Sequence, residues 1–343
     1  MSIPFWPKRF FLPRDGRETY LIRLSPEFYY MPSSIRDVII IGGGISAHTA
    51  AVYTARASLN PLVLGGDNPD QLSLTTLVEN FPGFPQGIMG PDLITHSKEQ
   101  AQKFGAEYLY GQVSSIKKVP NGFEVKTTEG KSFQGRTIII CTGASARTMG
   151  IPGEAEFFGR GVSTCAVCDA ALYKNKDAIV IGGGDAAMEE ALALYKFAKK
   201  VTIVHRRDEF RASKIMQDRV LGLKDKISIM WNSVPTQVLG EKLVKGAKIK
   251  DVNTNKETTL NAEGFFLAIG HIPNTSFLQG FIDLTEHGYV KVQGVKASLP
   301  GVFAAGDVMD PRYKQAITSA GTGCQAALEA EWYIEHLKAE GKY

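Results

Sequence analysis

The sequence predicts an α/β fold carrying two copies of a nucleotide-binding unit, and three observations predict it. A buried strand near residue 40 runs into a glycine-rich turn, a helical pattern and a second strand. The same run recurs 140 residues later. Stretches of alternating apolar and polar residues, with hairpin-type turns, fill the chain after each copy.

In the first copy, Asp37–Ile41 is a strand of continuous apolar character, the kind buried on both faces of a parallel sheet. It leads into Gly42-Gly43-Gly44-Ile45-Ser46-Ala47, a helical pattern over 50–57 and a strand over 61–64. This order is the Rossmann βαβ opening. Gly42 permits the tight turn, Gly44 lets a pyrophosphate approach the backbone, and Ala47 allows close helix packing. Free N–H groups and the dipole of the helix N-terminus then favour phosphate. The second copy has a strand over 178–181 and the turn Gly182-Gly183-Gly184-Asp185-Ala186-Ala187, then a helix from 188 to about 198 and a strand over 201–204. One such match is weak evidence. Two, each between a strand and a helix, predict two dinucleotide sites.

The residues after the second strands tell the copies apart. His205-Arg206-Arg207, with Arg211 a turn further on, stand where an NAD site usually places an acid, and guanidiniums there favour the 2′-phosphate of NADPH. In the first copy the position falls at Leu64-Gly65-Gly66, with no acid before Asp67. Small antiparallel meanders are expected over 107–133, with a turn at Asn121-Gly122, and over 228–259. Apolar strands stop on Gly143, Gly270 and Gly306, which suits backbone passing close to a ligand. Asp307, just past a strand and before a helical run over 317–330, is placed to bond a polyol or to cap.

Residues 1–36 differ in kind. Aromatics, five prolines and six basic residues against three acids interrupt every apolar run, so there is no secretory core. Two readings stay open, a degenerate organellar targeting peptide and a disordered tail upstream of a start at Met31. In the whole chain of 343 residues, 44% are apolar and 22% charged, as in a soluble globular protein of about two domains. A net charge of +4 argues against a nucleic-acid partner, and no apolar run approaches the roughly 18 residues of a membrane span. Four cysteines suit a reducing, cytoplasmic setting rather than a disulfide scaffold.

Between the two units lies Cys165-Ala166-Val167-Cys168-Asp169. Two cysteines at this spacing can close a small disulfide ring, and in the reduced state one thiol can stabilise its neighbour's thiolate. Asp169 is placed to pass a proton to or from a leaving sulfur. Half a zinc site and two buried small hydrophobes are the rival readings, but zinc needs about four ligands and no second pair of suitable spacing is present. Cys141 and Cys324 are expected to be buried and inert.

Together these segments resemble the low-molecular-weight thioredoxin reductases, the NADPH-dependent flavoprotein disulfide reductases of bacterial, fungal and plant type. The resemblance adds Val78-Glu-Asn-Phe-Pro-Gly-Phe-Pro85, Ala268-Ile-Gly-His-Ile-Pro-Asn274, Gly301–Asp310 and Gln315–Cys324, and it covers about residues 37–337 in the family's order. It implies two Rossmann-like three-layer ββα domains. An FAD domain over 37–147 and 275–343 is interrupted by an NADPH domain over 148–274, with 1–36 as an extension. The implied FAD contacts are Gly42, Gly43, Gly44, Ile45, Ser46, Ala47, Gln71, Leu72, Thr75, Asn80, Val113, Gly143, Gly306, Asp307, Lys314, Gln315 and Ala316. For NADPH they are Gly182, Gly184, Asp185, Ala186, Ala187, His205, Arg206, Arg207 and Arg211, and no metal is implied. Cys168 is implied to lie nearer the isoalloxazine, Cys165 to attack thioredoxin, and Asp169 to donate the proton, in a homodimer. His271 could lie near the flavin or be structural.

Three positions depart from the family pattern. Pro69-Asp70 replace two glycines before Gln71, Asp185 adds a negative charge by the NADPH pyrophosphate, and Lys314 replaces an arginine. Asp185 is expected to weaken NADPH binding unless it points away as a cap. Rivals on the same scaffold are a dithiol oxidase and a reductase of another small disulfide partner. A non-catalytic NADP sensor would have no use for the cysteine pair.

Overall fold

The computed structural model describes residues 35–66, 70–75 and 77–343. Most of the N-terminal extension (1–34, with Met31), Asp67, Pro69 and Thr76 lie outside the described residues, and Arg36, expected in the extension, already belongs to the first strand. The chain opens with β1 (Arg36–Ile41), α1 (Ile45–Arg56) and β2 (Leu62–Gly65), then β3 (Leu77–Val78), β4 (Ile88–Met89) and α2 (Gly90–Lys103). Next come β5 (Glu107–Tyr110), β6 (Val113–Val119), β7 (Gly122–Thr127), β8 (Ser132–Ile140) and β9 (Ala144–Ala146). A second region holds β10 (Val162–Ser163), α3 (Ala166–Asp169), β11 (Asp177–Ile181), α4 (Asp185–Tyr195), β12 (Lys200–Val204), α5 (Lys214–Leu221) and β13 (Ile227–Met230). It continues through β14 (Ser233–Gly240), β15 (Val244–Asp251), β16 (Glu257–Asn261), β17 (Gly264–Leu267) and β18 (His271–Pro273). The chain finishes with β19 (Val302–Ala304) and α6 (Ala316–Ala339).

The expected α/β fold with two Rossmann-like units is present. The first sheet has the order β5-β2-β1-β8-β7-β6, with β19 also on β8. Its parallel part places Ile39, Ile40 and Ile41 beside Leu62, Val63 and Leu64 on one side and Ile138, Ile139 and Ile140 on the other. These residues are almost wholly buried, which is why the strands carry no polar alternation. One face packs against α1 and α6, and the other against Val113, Phe123 and Leu278. The α1–α6 crossing is so close that a Cβ on Gly323 would sit 2.3 Å from the Ser46 carbonyl oxygen. Only a glycine lets those two backbones meet.

The second sheet, β10-β17-β11-β12-β13, is entirely parallel. Helices α4 and α5 cover one face. Val238, Val244 and Ile249 of the antiparallel β14-β15-β16 layer cover the other. Where the chain crosses between the two sheets, β9 and β18 pair as a two-stranded ribbon, His271 opposite Ala146 and Pro273 opposite Ala144. Thr142 and Asn274 bind each other's backbone there, each bond 2.8 Å. Among the described residues, no helix is long and apolar enough to cross a membrane.

Besides several short strands and α3, two longer helices were not expected from the sequence. Helix α2 starts on Gly90-Pro91, is mostly polar and buries only Gly90, Leu93 and Ala101. Helix α5 spans only two turns.

Candidate functional site

A cavity of about 590 Å³ opens at the C-terminal ends of β1 and β8 and extends to the Cys165–Cys168 pair. Pockets of this size commonly enclose cofactors or small substrates. The first glycine turn forms part of its wall. Gly42 has φ +133°, and a Cβ there would stand 2.2 Å from the Cys141 carbonyl oxygen, so the tight turn requires glycine. Gly42, Gly43, Gly44, Ile45 and Ser46 all border the cavity, and no side chain caps the N-terminus of α1 at Gly44. Its first-turn N–H groups therefore lack a side-chain acceptor, as a phosphate-binding helix requires. Ala47 is fully buried behind them.

Gln71, Leu72, Thr75, Asn80, Val113, Gly143, Asp307, Lys314, Gln315 and Ala316 also border the cavity. Gly306 does not, and it carries the turn instead, with φ +77° and its N–H donating to Thr322 Oγ1 at 2.9 Å. The loop that lost its glycines is organised by Asp70. Asp70 Oδ1 accepts from the Leu72 and Ser73 N–H groups at 3.0 and 3.1 Å, and Ser73 Oγ donates to Oδ2. The carboxylate thus serves its own loop, although it lies beside Gly44. Asp307 accepts from Ser319 Oγ at 2.9 Å, and burial pushes its pKa up. Lys314 adopts φ +49° and brings Nζ to 3.4 Å from His271 Nδ1. Burial, aided by that ammonium, holds His271 down at about 4, so the ring is neutral and accepts.

The two sulfurs are bonded to each other, with Cα atoms 5.3 Å apart, so neither is free to bind zinc. Cys165 is the N-cap of α3, and its Sγ accepts from the Cys168 N–H at 3.2 Å. Cys168 Sγ lies 4.0 Å from the side-chain amide of Gln315, the N-cap residue of α6. The disulfide therefore touches the far wall of the cavity that the first glycine turn begins. Behind it runs a chain of bonds: Cys165 N–H donates to Ser163 Oγ at 3.0 Å, and Ser163 Oγ donates to Asp169 Oδ2 at 2.6 Å. Burial pushes the Asp169 carboxyl up against the lowering effect of Ser163, which favours a group able to hold a proton. Sequence reading missed Ser163, and also Glu190 of α4, which accepts the Ala166 N–H. Cys141 is buried and its thiol is pushed up to about 12, whereas Cys324 is only half-buried, contrary to expectation.

The second glycine turn stands apart. Gly182 has φ +151°, and a Cβ would meet the Ala268 carbonyl oxygen at 2.5 Å. Ala186 reaches the cavity, while Gly182, Gly184, Asp185, Ala187, His205, Arg206, Arg207 and Arg211 lie outside it. Arg206, Arg207 and Arg211 are exposed. His205 is not: its ring lies against Gly183, Phe210 and Trp231, with Nε2 3.0 Å from the Glu209 carbonyl oxygen. Asp185 Oδ1 accepts from the N–H and the hydroxyl of Ser213, both at 2.8 Å, while the Arg211 and Ala212 N–H groups bond the Gly183 carbonyl beside it. It caps the start of α5.

The sequence matches the pyridine nucleotide-disulphide oxidoreductase family over residues 36–323. A thioredoxin reductase of Streptomyces clavuligerus is 49% identical over 309 residues, covering 89% of this chain and 96% of the relative. The solved thioredoxin reductase of Streptococcus pyogenes is 38% identical, with a TM-score of 0.83 over 88% of this chain and 99% of that one. The Lactococcus lactis thioredoxin reductase in its FR conformation is 39% identical and covers 88% and 100%, yet its TM-score is 0.60.

Proposed function

The chain belongs to the pyridine nucleotide-disulphide oxidoreductases, among the low-molecular-weight thioredoxin reductases, and on that premise we propose that it passes electrons from NADPH through FAD and the Cys165–Cys168 disulfide to oxidised thioredoxin. The observation that carries this reading is the shared cavity: its walls run from the Gly42–Ser46 turn to Cys168.

The donor set suits FAD. The uncapped Gly44 end of α1 would hold its phosphates and Asp307 a polyol hydroxyl, with Gln71, Asn80 and Gln315 placed about the ring. The second turn, over 182–187, suits a dinucleotide, and Arg206, Arg207 and Arg211 would hold the 2′-phosphate of NADPH. When bound, the two cofactors supply the hydride chemistry.

The protein's own part begins at sulfur. Two electrons open the Cys165–Cys168 bond, leaving a thiolate and a thiol, and Asp169 supplies the proton. The Cys165 thiolate attacks one sulfur of thioredoxin's disulfide, forming a mixed disulfide and releasing the other thioredoxin sulfur, which takes a proton. Cys168 then attacks Cys165, which re-forms the internal disulfide and frees thioredoxin as a dithiol.

A disulfide that faces bound flavin across the cavity could not at the same time meet a protein, although Cys168 itself is exposed here, and the second turn does not border the cavity apart from Ala186. The segment over 148–274 would therefore swivel against 37–147 and 275–343 about the β9–β18 ribbon, where Gly143 and Gly270 take positive φ. The lower TM-score of the FR-conformation relative, at nearly the same identity, supports such a swivel. The working unit is a homodimer in this reading.

The test is NADPH-dependent DTNB reduction with and without thioredoxin. Cys165→Ser should lower thioredoxin-dependent turnover by about a thousandfold or more, as loss of a nucleophile does, while NADPH still bleaches the flavin. Retained turnover would overturn the role of Cys165.

A further inference from the structure

Glu190 is a half-buried carboxyl to which the mechanism above gives no task. It lies on α4 where that helix passes α3, borders the cavity, and its Oε2 accepts the N–H of Ala166. Ala166 is the first residue of α3 and follows Cys165 directly. An N–H at the start of a helix is a group that ordinarily stabilises a neighbouring thiolate. Here a carboxyl holds it, and the Cys165 sulfur has the Cys168 N–H instead. The charged groups acting on Glu190 are both acidic: Asp169 across on α3 and Glu189 on α4 itself. Tyr173, from the turn after α3, faces Asp169 and stays neutral, with burial pushing it up to about 12.

We propose that Glu190 is a positioning residue for the exchange reaction: it anchors α3 through the Ala166 amide, and its charge governs how readily the Cys165 sulfur ionises once the disulfide is open. The proposal rests on the reading of Cys165 as the exchanging sulfur. Burial raises Glu190 to about 7, so the carboxyl changes charge within the working range of pH. Below that value it is neutral and tolerates a thiolate next to its amide. Above it, the carboxylate opposes one.

Glu190→Gln keeps an acceptor for the amide and removes the charge. If the variant lowers the Cys165 pKa by about one unit, the thiolate fraction rises about tenfold, and the weaker nucleophilicity of a less basic thiolate returns about a factor of three. The FAD-loaded protein is reduced with dithiothreitol, and iodoacetamide labelling of the Cys165 peptide is followed by mass spectrometry. At pH 7.5, E190Q should label roughly threefold faster than wild type. Glu190→Asp, which keeps the charge, should label no faster than wild type. Equal rates in E190Q and wild type, or equal acceleration in E190D and E190Q, would overturn the proposal. If E190Q loses its flavin, wild type alone decides: its rate–pH profile should show a second inflection near pH 7, and a single thiol ionisation would sink the idea. None of these readouts needs thioredoxin, so a failed Cys165→Ser test and a failed labelling test are told apart.

Discussion

The two glycine turns have nearly the same backbone and different surroundings. Gly42 and Gly182 both take positive φ and press against a carbonyl of the next strand, Cys141 in one case and Ala268 in the other. Helix α1 has no acid in its first turn, whereas α4 begins on Asp185. The strand beyond the first turn ends in Leu64-Gly65, and the strand beyond the second is followed directly by His205-Arg206-Arg207. In the proposed reading the turn itself would supply only a phosphate seat. What each seat is for is decided by the side chains one strand away and by which cavity the seat opens on.

That difference can be broken at the turns themselves. Gly42→Ala places a methyl group 2.2 Å from a backbone oxygen at φ +133°, where neither the carbonyl nor the strand can yield. The expected cost is on the order of 3 kcal/mol or more, combining backbone strain with the clash. The variant should purify without bound flavin, as absorbance near 450 nm would show. A yellow, active G42A protein would mean that the first turn is not the flavin seat.

The next largest effect should come from the strand end. Arg206→Ala with Arg207→Ala removes charge-assisted bonds worth roughly 1.5–3 kcal/mol together, and so should raise the KM for NADPH about 10- to 100-fold. The KM for NADH should hardly move. Equal changes for both nucleotides would assign the pair to an ordinary solvated surface and would remove the main contrast between the two turns.

The parts of this site legible in the sequence are those in which one residue type is forced by local geometry. Gly42 and Gly182 need positive φ, Cys165 and Cys168 need their spacing, and apolar runs such as Ile39–Ile41 belong in a parallel sheet. What stayed hidden depends on which way a polar side chain turns. Glu190 sits in a helix beside Glu189, a pair that reads as a solvated face; Glu189 is indeed exposed, but Glu190 accepts an N–H from α3. Asp70 looked like a lost glycine and proves to be the residue that folds its loop. His205 stands in line with two arginines, yet its neighbours Phe210 and Trp231 are brought to it by tertiary packing.

Asp185 sharpens the comparison most finely, because it is the acid that makes the second turn look unfit for a phosphate. Its Oδ1 already accepts two bonds from Ser213, so its charge is spent on the N-terminus of α5. Replacement by alanine should therefore act on stability, by about 1 kcal/mol as for other lost caps, with a midpoint shift in urea. The KM for NADPH should change less than about threefold, which corresponds to well under 1 kcal/mol. A large gain in NADPH affinity with unchanged stability would show that the carboxylate faces the pyrophosphate in the working enzyme, and that the cap forms only when the nucleotide is away.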